Sequence, residues 1–358
     1  MSRNALDRAV LEWISEGALA PPDRERFDRL ALALFAYQYE HNLPYRRFCT
    51  ALALDPGQVN SFREIPAVPT GAFKEARLAT FSPDQELRTF RTSGSTTERR
   101  GALHLDTLEL YEASLLSTFG TYVCPEGKPI RFVVLAPTQR SAPESSLSYM
   151  FGCAVERLGL PSSRFYLTEA DSNPGELALD LDTLDEPIAL VGTAFAFVHL
   201  LDFLREHARR LFLPPGSRVM ETGGLKGRVR ELSREDLHES IAEWLGLPAE
   251  RIVNQYGMCE LGSQFYEPSL RTGRPTRTKQ VPPWVRTRVV DPESLEDVAT
   301  GETGILIHYD LTNTGSVLAV QTSDVGRLSP DGFEVLGRAP GAEARGCSIA
   351  TDLLLGAP

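Results

Sequence analysis

Leu6, Val10, Trp13 and Ile14 recur at three- and four-residue spacing, and beyond Pro21, Pro22 and Asp23 the set Phe27, Leu30, Ala31, Leu34 and Phe35 does the same. Each set falls on one face of a helix. The chain thus opens with amphipathic helices that bury an apolar stripe against other elements. From Ile130 the pattern changes to short β-rich runs alternating with helical ones: IRFVVL then SLSYMFGCAVERLG, and IALVG then TAFAFVHLLDFLREHARR. Further on, RVMET precedes a Gly-rich turn and a helix opened by Ser233, and RIVNQYG follows. Such alternation predicts an α/β fold with a largely parallel sheet, whose ligands bind beyond the carboxyl ends of the strands. Beyond about Gln280, WVRTRVV, TGILIHYD, VLAVQT and FEVLG come without helices between them, the last after the turn SPDG. They predict a smaller antiparallel or barrel-like region. The expected organisation is a helical stretch over 1–80, an α/β core over 81–280, a β-rich subdomain over 281–346 and a tail over 347–358.

Composition narrows the function class. Lys and Arg number 37 against 48 Asp and Glu, a net charge of -11, so attraction to phosphate backbones or anionic membrane does not drive binding. A nucleic-acid partner is disfavoured. The most apolar stretch, Ile188 to Leu201, is broken by Gly192, Thr193 and His199 and stopped by Asp202, which falls short of a spanning helix. Asp7, Glu12 and Glu16 interrupt what would be the apolar core of a signal peptide. A cytoplasmic protein with no membrane insertion is expected. The cysteines Cys49, Cys124, Cys153, Cys259 and Cys347 contain no CxxC pair, which suits neither a disulfide framework nor a zinc site.

Four segments could carry chemistry. TSGSTTERRG, Thr92 to Gly101, places hydroxyls around a glycine and then two guanidinium groups, Arg99 and Arg100, a composition able to wrap phosphate oxygens and neutralise them. The Walker pattern GxxxxGK[ST] is absent, which disfavours a P-loop ATPase. NQYGMCE, at the end of a predicted strand, offers Tyr256 to stack on a purine, Gly257 to turn the backbone and Glu260 to hold a divalent ion by a hard oxygen. ETGGLKGR puts Gly223 and Gly224 just past a strand, where a flat ring can approach the backbone. QTSDVGRLSPDGFEVLGRAPGAEARG offers Asp324 for two ribose hydroxyls, and Gly337 and Arg338 closing a hairpin. Taken singly, each has a plainer reading: a polar turn, a core aromatic, a solvated acid, a glycine pair, a turn aspartate.

Their order along the chain is more specific. A Ser/Thr/Gly loop, then GG, then N-x-YGxxE, then T-x-D-x-G followed by GR resembles the adenylate-forming superfamily of acyl-CoA synthetases, from about Val68 to Gly346. Within it, VPTGAFKEARL, ETGGLKGR and GRAPGAEARGCS are most similar to the acyl-protein synthetase family of bacterial luminescence systems. The resemblance implies the superfamily's large N-terminal domain, with parallel-rich sheets flanked by helices and a small β-barrel-like subdomain. It implies ATP and Mg²⁺: Ser93, Gly94, Ser95 and Thr96 on the phosphates with Arg99 nearby, Gly223 and Gly224 flanking adenine, Tyr256 stacking on it, Glu260 on the metal, Asp324 on the ribose and Arg338 assisting. Thr97 stands where the broader pattern has glycine.

Larger superfamily members continue after the GR motif into a small C-terminal domain that supplies a catalytic lysine. Only Cys347 to Pro358 follow Gly346 here, so that domain is expected to be absent and its cation replaced by Lys74, Lys226 or Arg99. In the luminescence family the acyl group passes to a cysteine near the C-terminus, and Cys347 stands there, with Arg345 placed to favour its thiolate. Ordinary burial is the plainer reading of Cys347, and Cys259 is the rival site. Leu147, Met150, Phe151, Phe195, Phe197 and Leu200 are candidates for an acyl tunnel or for plain core. The reaction expected is activation of a carboxylic acid, of the fatty class, with transfer to a thiol, the partner being an acyl-accepting reductase or carrier protein. The alternatives are a standalone ligase making an acyl-CoA or carrier thioester of an aryl or short-chain acid, and a nucleotide-binding scaffold with little turnover.

Overall fold

The computed structural model describes residues 1–93, 99–166, 174–223, 233–338 and 354. They form two compact units: Met1–Ser117, Met258–Gln264 and Gln280–Pro358 in the first, Thr118–Gly257 and Phe265–Lys279 in the second. The chain opens with helices α1 (Arg3–Ser15), α2 (Arg24–His41) and α3 (Leu43–Ala51). Asp23 caps α2 by accepting from Arg26 N at 2.9 Å, and Asn42 both ends α2 and caps α3, the short polar side chains that satisfy free helix N–H groups. The apolar stripes predicted for α1 and α2 are buried. Next come β1 (Val68–Pro69), α4 (Ala72–Glu75), β2 (Arg88–Arg91), β3 (Ala102–Leu105) and α5 (Glu109–Val123). The antiparallel pair β2 and β3 makes TSGSTTERRG the connection of a hairpin.

In the second unit the predicted alternation holds: β4 (Arg131–Leu135), α6 (Ser146–Leu158), β5 (Arg164–Phe165), α7 (Pro174–Asp182), β6 (Ile188–Thr193), α8 (Ala194–Glu206), β7 (Arg218–Thr222), α9 (Arg234–Leu245) and β8 (Ile252–Tyr256), then β9 (Phe265–Tyr266) and α10 (Ser269–Thr272). The sheet order is β5-β4-β6-β7-β8-β9, parallel except for β9. Strands β4 and β6 read as nearly unbroken apolar runs because helices cover parallel sheets on both faces. Leu177, Leu181, Phe197, Leu201, Leu204, Ile241 and Leu245 of α7, α8 and α9 pack on Val133, Leu190, Val219 and Ile252 of the strands. Each such side chain contributes about 1.5–3 kcal/mol by leaving water. Thr193 caps α8 and Ser233 caps α9, the latter in a capping box with Asp236.

The first unit is completed by β10 (Val285–Val290), β11 (Thr303–Asp310), β12 (Ala319–Ser329) and β13 (Gly332–Arg338). They run antiparallel in sequence, and β12 takes β11 along one edge and β1, in parallel, followed by β13 along the other. The turn of the last hairpin lies between Ser329 and Gly332, so Gly337 and Arg338 stand at the far end of the returning strand and do not form the closing turn.

Candidate functional site

A buried polar knot in the first unit fixes the segment Met258–Gln264. Asp310, the last residue of β11, accepts from Ser263 N at 2.8 Å, Ser263 Oγ at 2.9 Å, Thr312 N at 3.0 Å and Thr312 Oγ1 at 2.7 Å. The Trp284 indole donates to Ser263 Oγ at 3.1 Å and Asn313 Nδ2 to the Glu260 carbonyl at 2.9 Å. Gly262 is required by a close approach, since a Cβ there would lie 2.3 Å from Thr312 Oγ1. The backbone is thus anchored at Glu260 and just beyond it, and the Glu260 side chain is aimed at the stem of the β2–β3 hairpin. A Cβ on Gly101 would come within 3.5 Å of Glu260 Oε1. Thr92 N donates to the Gly101 carbonyl and Gly101 N to Thr92 Oγ1, both at 2.9 Å. A buried carboxylate therefore sits at the foot of the hydroxyl loop.

Burial pushes the Glu260 carboxyl from 4.5 up to about 7; its own backbone N–H, Arg338 and Lys74 pull it down, and Asp324 pushes it up. Asp324 and Arg338 are cross-strand neighbours on β12 and β13, with Arg338 Nε 3.3 Å from Asp324 Oδ1. Of the candidate cations, Lys74 on α4 acts on Glu260, whereas Arg99 is 76% exposed and pairs with Glu75 at 2.6 Å. Ser93 is exposed. Among the described residues no group of three or more His, Cys, Asp or Glu could cage a metal. One carboxylate fits Mg²⁺ that brings phosphate oxygens and water as its other ligands.

In the second unit β7 and β8 end side by side, Thr222 opposite Gln255. Gly223 follows with φ +85° and nothing within 4 Å of a Cβ built on it, so the left-handed turn, rather than crowding, calls for glycine. Tyr256, the last residue of β8, is half-buried with its ring 5.9 Å from that of Phe265, and Gly257 is exposed. Gly223 and Tyr256 thus stand on neighbouring strand ends of one unit, and Glu260, Thr92, Gly101, Asp324, Arg338 and Lys74 gather in the other. Gly94, Ser95, Thr96, Gly224, Lys226 and Cys347 lie outside the described residues.

Sequence reasoning missed a charged network behind the β7 and β8 ends. Glu221, fully buried, holds on Oε1 the Asn254 Nδ2 donor at 2.6 Å, with His238 Nε2 at 3.0 Å and Arg234 Nε at 3.5 Å. Arg234 Nη1 donates to Asn254 Oδ1 at 3.1 Å and Nη2 to the Gly223 carbonyl at 3.3 Å. Asn254 N donates to Glu267 Oε2 at 3.1 Å, and Glu267 Oε1 accepts from the buried Lys279 Nζ at 2.8 Å. Burial alone would raise the Glu221 carboxyl, but the His238 hydrogen bond and the Arg234 charge bring it below the usual value. The available signal was the lone acid inside RVMET, because a carboxylate in an apolar parallel strand needs partners.

The described cysteines, Cys49, Cys124, Cys153 and Cys259, are buried. Burial pushes Cys49 and Cys124 up to about 12, and burial with the nearby Glu260 pushes Cys259 well up, which disfavours the thiolate. Met150, Phe151, Phe197 and Leu200 are buried, Leu147 is half-buried, and Phe195 is 38% exposed. Phe197 and Leu200 belong to the hydrophobic core of the parallel sheet. No helix of the described residues is long and apolar enough to cross a membrane.

The family model for acyl-protein synthetase, LuxE, matches residues 14–354. The chain belongs to the LuxE acyl-protein synthetase family. Relatives of this chain include long-chain-fatty-acid–luciferin-component ligases of Aliivibrio fischeri, 25% identical over 95% of this chain and 90% of that one, and of Vibrio harveyi, 23% identical over 90% and 86%. Among solved structures, 2-hydroxyisobutyryl-CoA ligase in an open conformation with 2-HIB-AMP and CoA is 18% identical, with a TM-score of 0.65 over 90% of this chain and 71% of that chain. That likeness shows that this chain has the fold of the large domain of such ligases, as expected from its motifs.

Proposed function

We propose that this chain activates a long-chain fatty acid with Mg-ATP as the acyl-adenylate and passes the acyl group to the thiol of Cys347, from which a partner reductase or carrier protein receives it. The observation that carries the reading is Glu260, a buried carboxyl left short of compensating charge at the foot of a hydroxyl-rich loop. The relatives' names supply the substrate class.

In the first half-reaction a carboxylate oxygen of the acid attacks the α-phosphorus, the bond to the β-phosphate bridge breaks, and pyrophosphate leaves with the electron pair. Mg²⁺, when bound, supplies neutralising charge to the phosphates. Glu260, once deprotonated, is the residue to hold it. Ser93, Gly94, Ser95 and Thr96 donate to phosphate oxygens where charge develops, with Arg99 and Lys226 adding positive charge. Gly223 and Gly224 leave room for adenine, Tyr256 stacks on it, and Gly257 turns the chain behind it. Asp324 accepts from the ribose hydroxyls, and Arg338 orients Asp324. In the second half-reaction the Cys347 thiolate attacks the acyl carbon and AMP leaves. The burial of the other cysteines, with the raised proton affinity of Cys49, Cys124 and Cys259, favours Cys347 for this role.

Exchange of labelled pyrophosphate into ATP over a panel of acids is expected only with acid present and to be strongest with long-chain fatty acids. ATP plus that acid should give a hydroxylamine-sensitive adduct of the acyl mass. Cys347→Ser should remove the adduct and keep the exchange, because adenylation needs no thiol. Exchange with loading of coenzyme A or a carrier protein, and no self-labelling, would overturn the Cys347 assignment. Absence of acid-dependent exchange would overturn the reading as a whole.

A further inference from the structure

Arg234 belongs to no motif, yet it touches the first residue of two of them. Its guanidinium reaches the Gly223 carbonyl with one nitrogen, Asn254 Oδ1 with a second and Glu221 Oε1 with the third. Gly223 is the left-handed turn after β7, and Asn254 lies two residues before Tyr256 on β8. A planar fork with fixed angles between its donors sets the distance between the groups it bridges. The rest of the network makes that fork rigid. Glu221 is held by His238 as well as by Asn254, and Asn254 is held from its other side by Glu267, which Lys279 pairs in turn.

Stability alone does not account for this arrangement. Buried ion pairs replaced by well-packed apolar side chains are often neutral or even stabilising, and Glu221 Oε2 has no hydrogen-bond partner among the described residues. What the network does uniquely is hold one particular carbonyl against one particular strand end. We propose that Arg234 is a positioning residue that fixes the Gly223 turn relative to the Tyr256-bearing strand end and so sets the slot for the nucleotide base. The proposal rests on the assignment of Gly223 and Tyr256 to the adenine. In this role Arg234 acts through the Gly223 carbonyl and Asn254, which it holds together, and takes no part in the transfer itself.

The test measures acid-dependent pyrophosphate exchange by the full chain with ATP and with GTP, alongside thermal unfolding, for Arg234→Gln, Arg234→Lys and Tyr256→Ala. The expected result for Arg234→Gln is a KM for ATP raised about tenfold with kcat within about twofold, and a reduced preference for ATP over GTP. Arg234→Lys, a point charge without the fork, should recover the melting temperature while leaving most of the KM defect. Folded Arg234 variants with unchanged KM and base preference, beside a Tyr256→Ala that raises the KM, would overturn the inference alone. Loss of kcat in step with melting temperature, or failure of both Arg234 variants to fold, would reduce the network to a structural role and overturn it too. Unchanged nucleotide kinetics in Tyr256→Ala would remove the adenine assignment, and this inference with it.

Discussion

Glu260 and Glu221 are both glutamates taken almost wholly out of water, and the two units treat them in opposite ways. Glu221 is surrounded by His238, Arg234 and Asn254, and its proton affinity falls below that of a free carboxyl. At Glu260 burial outweighs the charges of Arg338 and Lys74, which Asp324 opposes, and its proton affinity rises to about 7. Desolvation acts on both; what differs is compensation. A buried carboxylate whose charge is compensated within the fold serves the scaffold, whereas one whose proton affinity stays raised is a site for something that arrives. The comparison separates the two acids more clearly than burial or residue type does.

The sharpest way to break this contrast is Glu260→Gln, which should cut acid-dependent pyrophosphate exchange by about 10²-fold while leaving the melting temperature unchanged or higher, since an uncompensated buried charge is removed. Exchange retained at the level of the unmodified chain would sink the metal assignment. Glu221→Gln should do the reverse. It leaves Arg234 half-buried without its counter-charge, a loss of about 3 kcal/mol in stability, with a far smaller fall in kcat than at Glu260. If the two variants behave alike, compensation is not what distinguishes the sites.

Gly262→Ala probes the scaffold around Glu260 without touching its charge. The added methyl group meets Thr312 Oγ1 at 2.3 Å and should cost about 1–3 kcal/mol by overpacking, read as a lower denaturation midpoint. A neutral result would mean the knot around Asp310 is looser than its hydrogen bonds imply.

The smallest effect is in pH. Between about pH 4.5 and 7 folded Glu260 keeps a proton that the unfolded chain has lost, so its contribution to stability, present below 4.5, is lost as pH rises through about 7 in the absence of a cation. Glu221 has the opposite sign: its contribution is present above the unfolded value and lost as pH falls through its depressed folded one. Since a cation must displace the Glu260 proton, the apparent Mg²⁺ affinity in exchange assays should rise about tenfold between pH 6 and 8. Glu260→Gln should flatten that profile, and a profile that stays steep in the variant would assign the proton elsewhere.

Much of the fold was legible because its signals are local. RVMET and RIVNQYG are β-rich runs bounded by turn residues, Ser233 begins a capping box, and SPDG closes the last hairpin. The pairing of β1 with β12 was not legible, because a two-residue strand has no period and its partner is distant in sequence. Nor was the hairpin role of TSGSTTERRG, whose flanks RTFR and ALHL carry as many polar as apolar positions. Among the proposed site residues, Tyr256, Glu260, Asp324 and Arg338 stand in motifs that the sequence offers, whereas the contacts of Arg234 and Asn254 escaped because they run across β7, β8 and α9.

The sequence by itself determined the succession of strands and helices, the apolar faces that bury them and the acyl-protein synthetase family, because caps, turns and alternation act over a few neighbouring residues and motif order survives as plain text. Tertiary structure alone decided which glutamate has its charge compensated and which keeps a raised proton affinity, and which carbonyl Arg234 holds. Those properties are sums of desolvation and charge over groups brought together from distant positions, and one position in the chain does not reveal its neighbours in space.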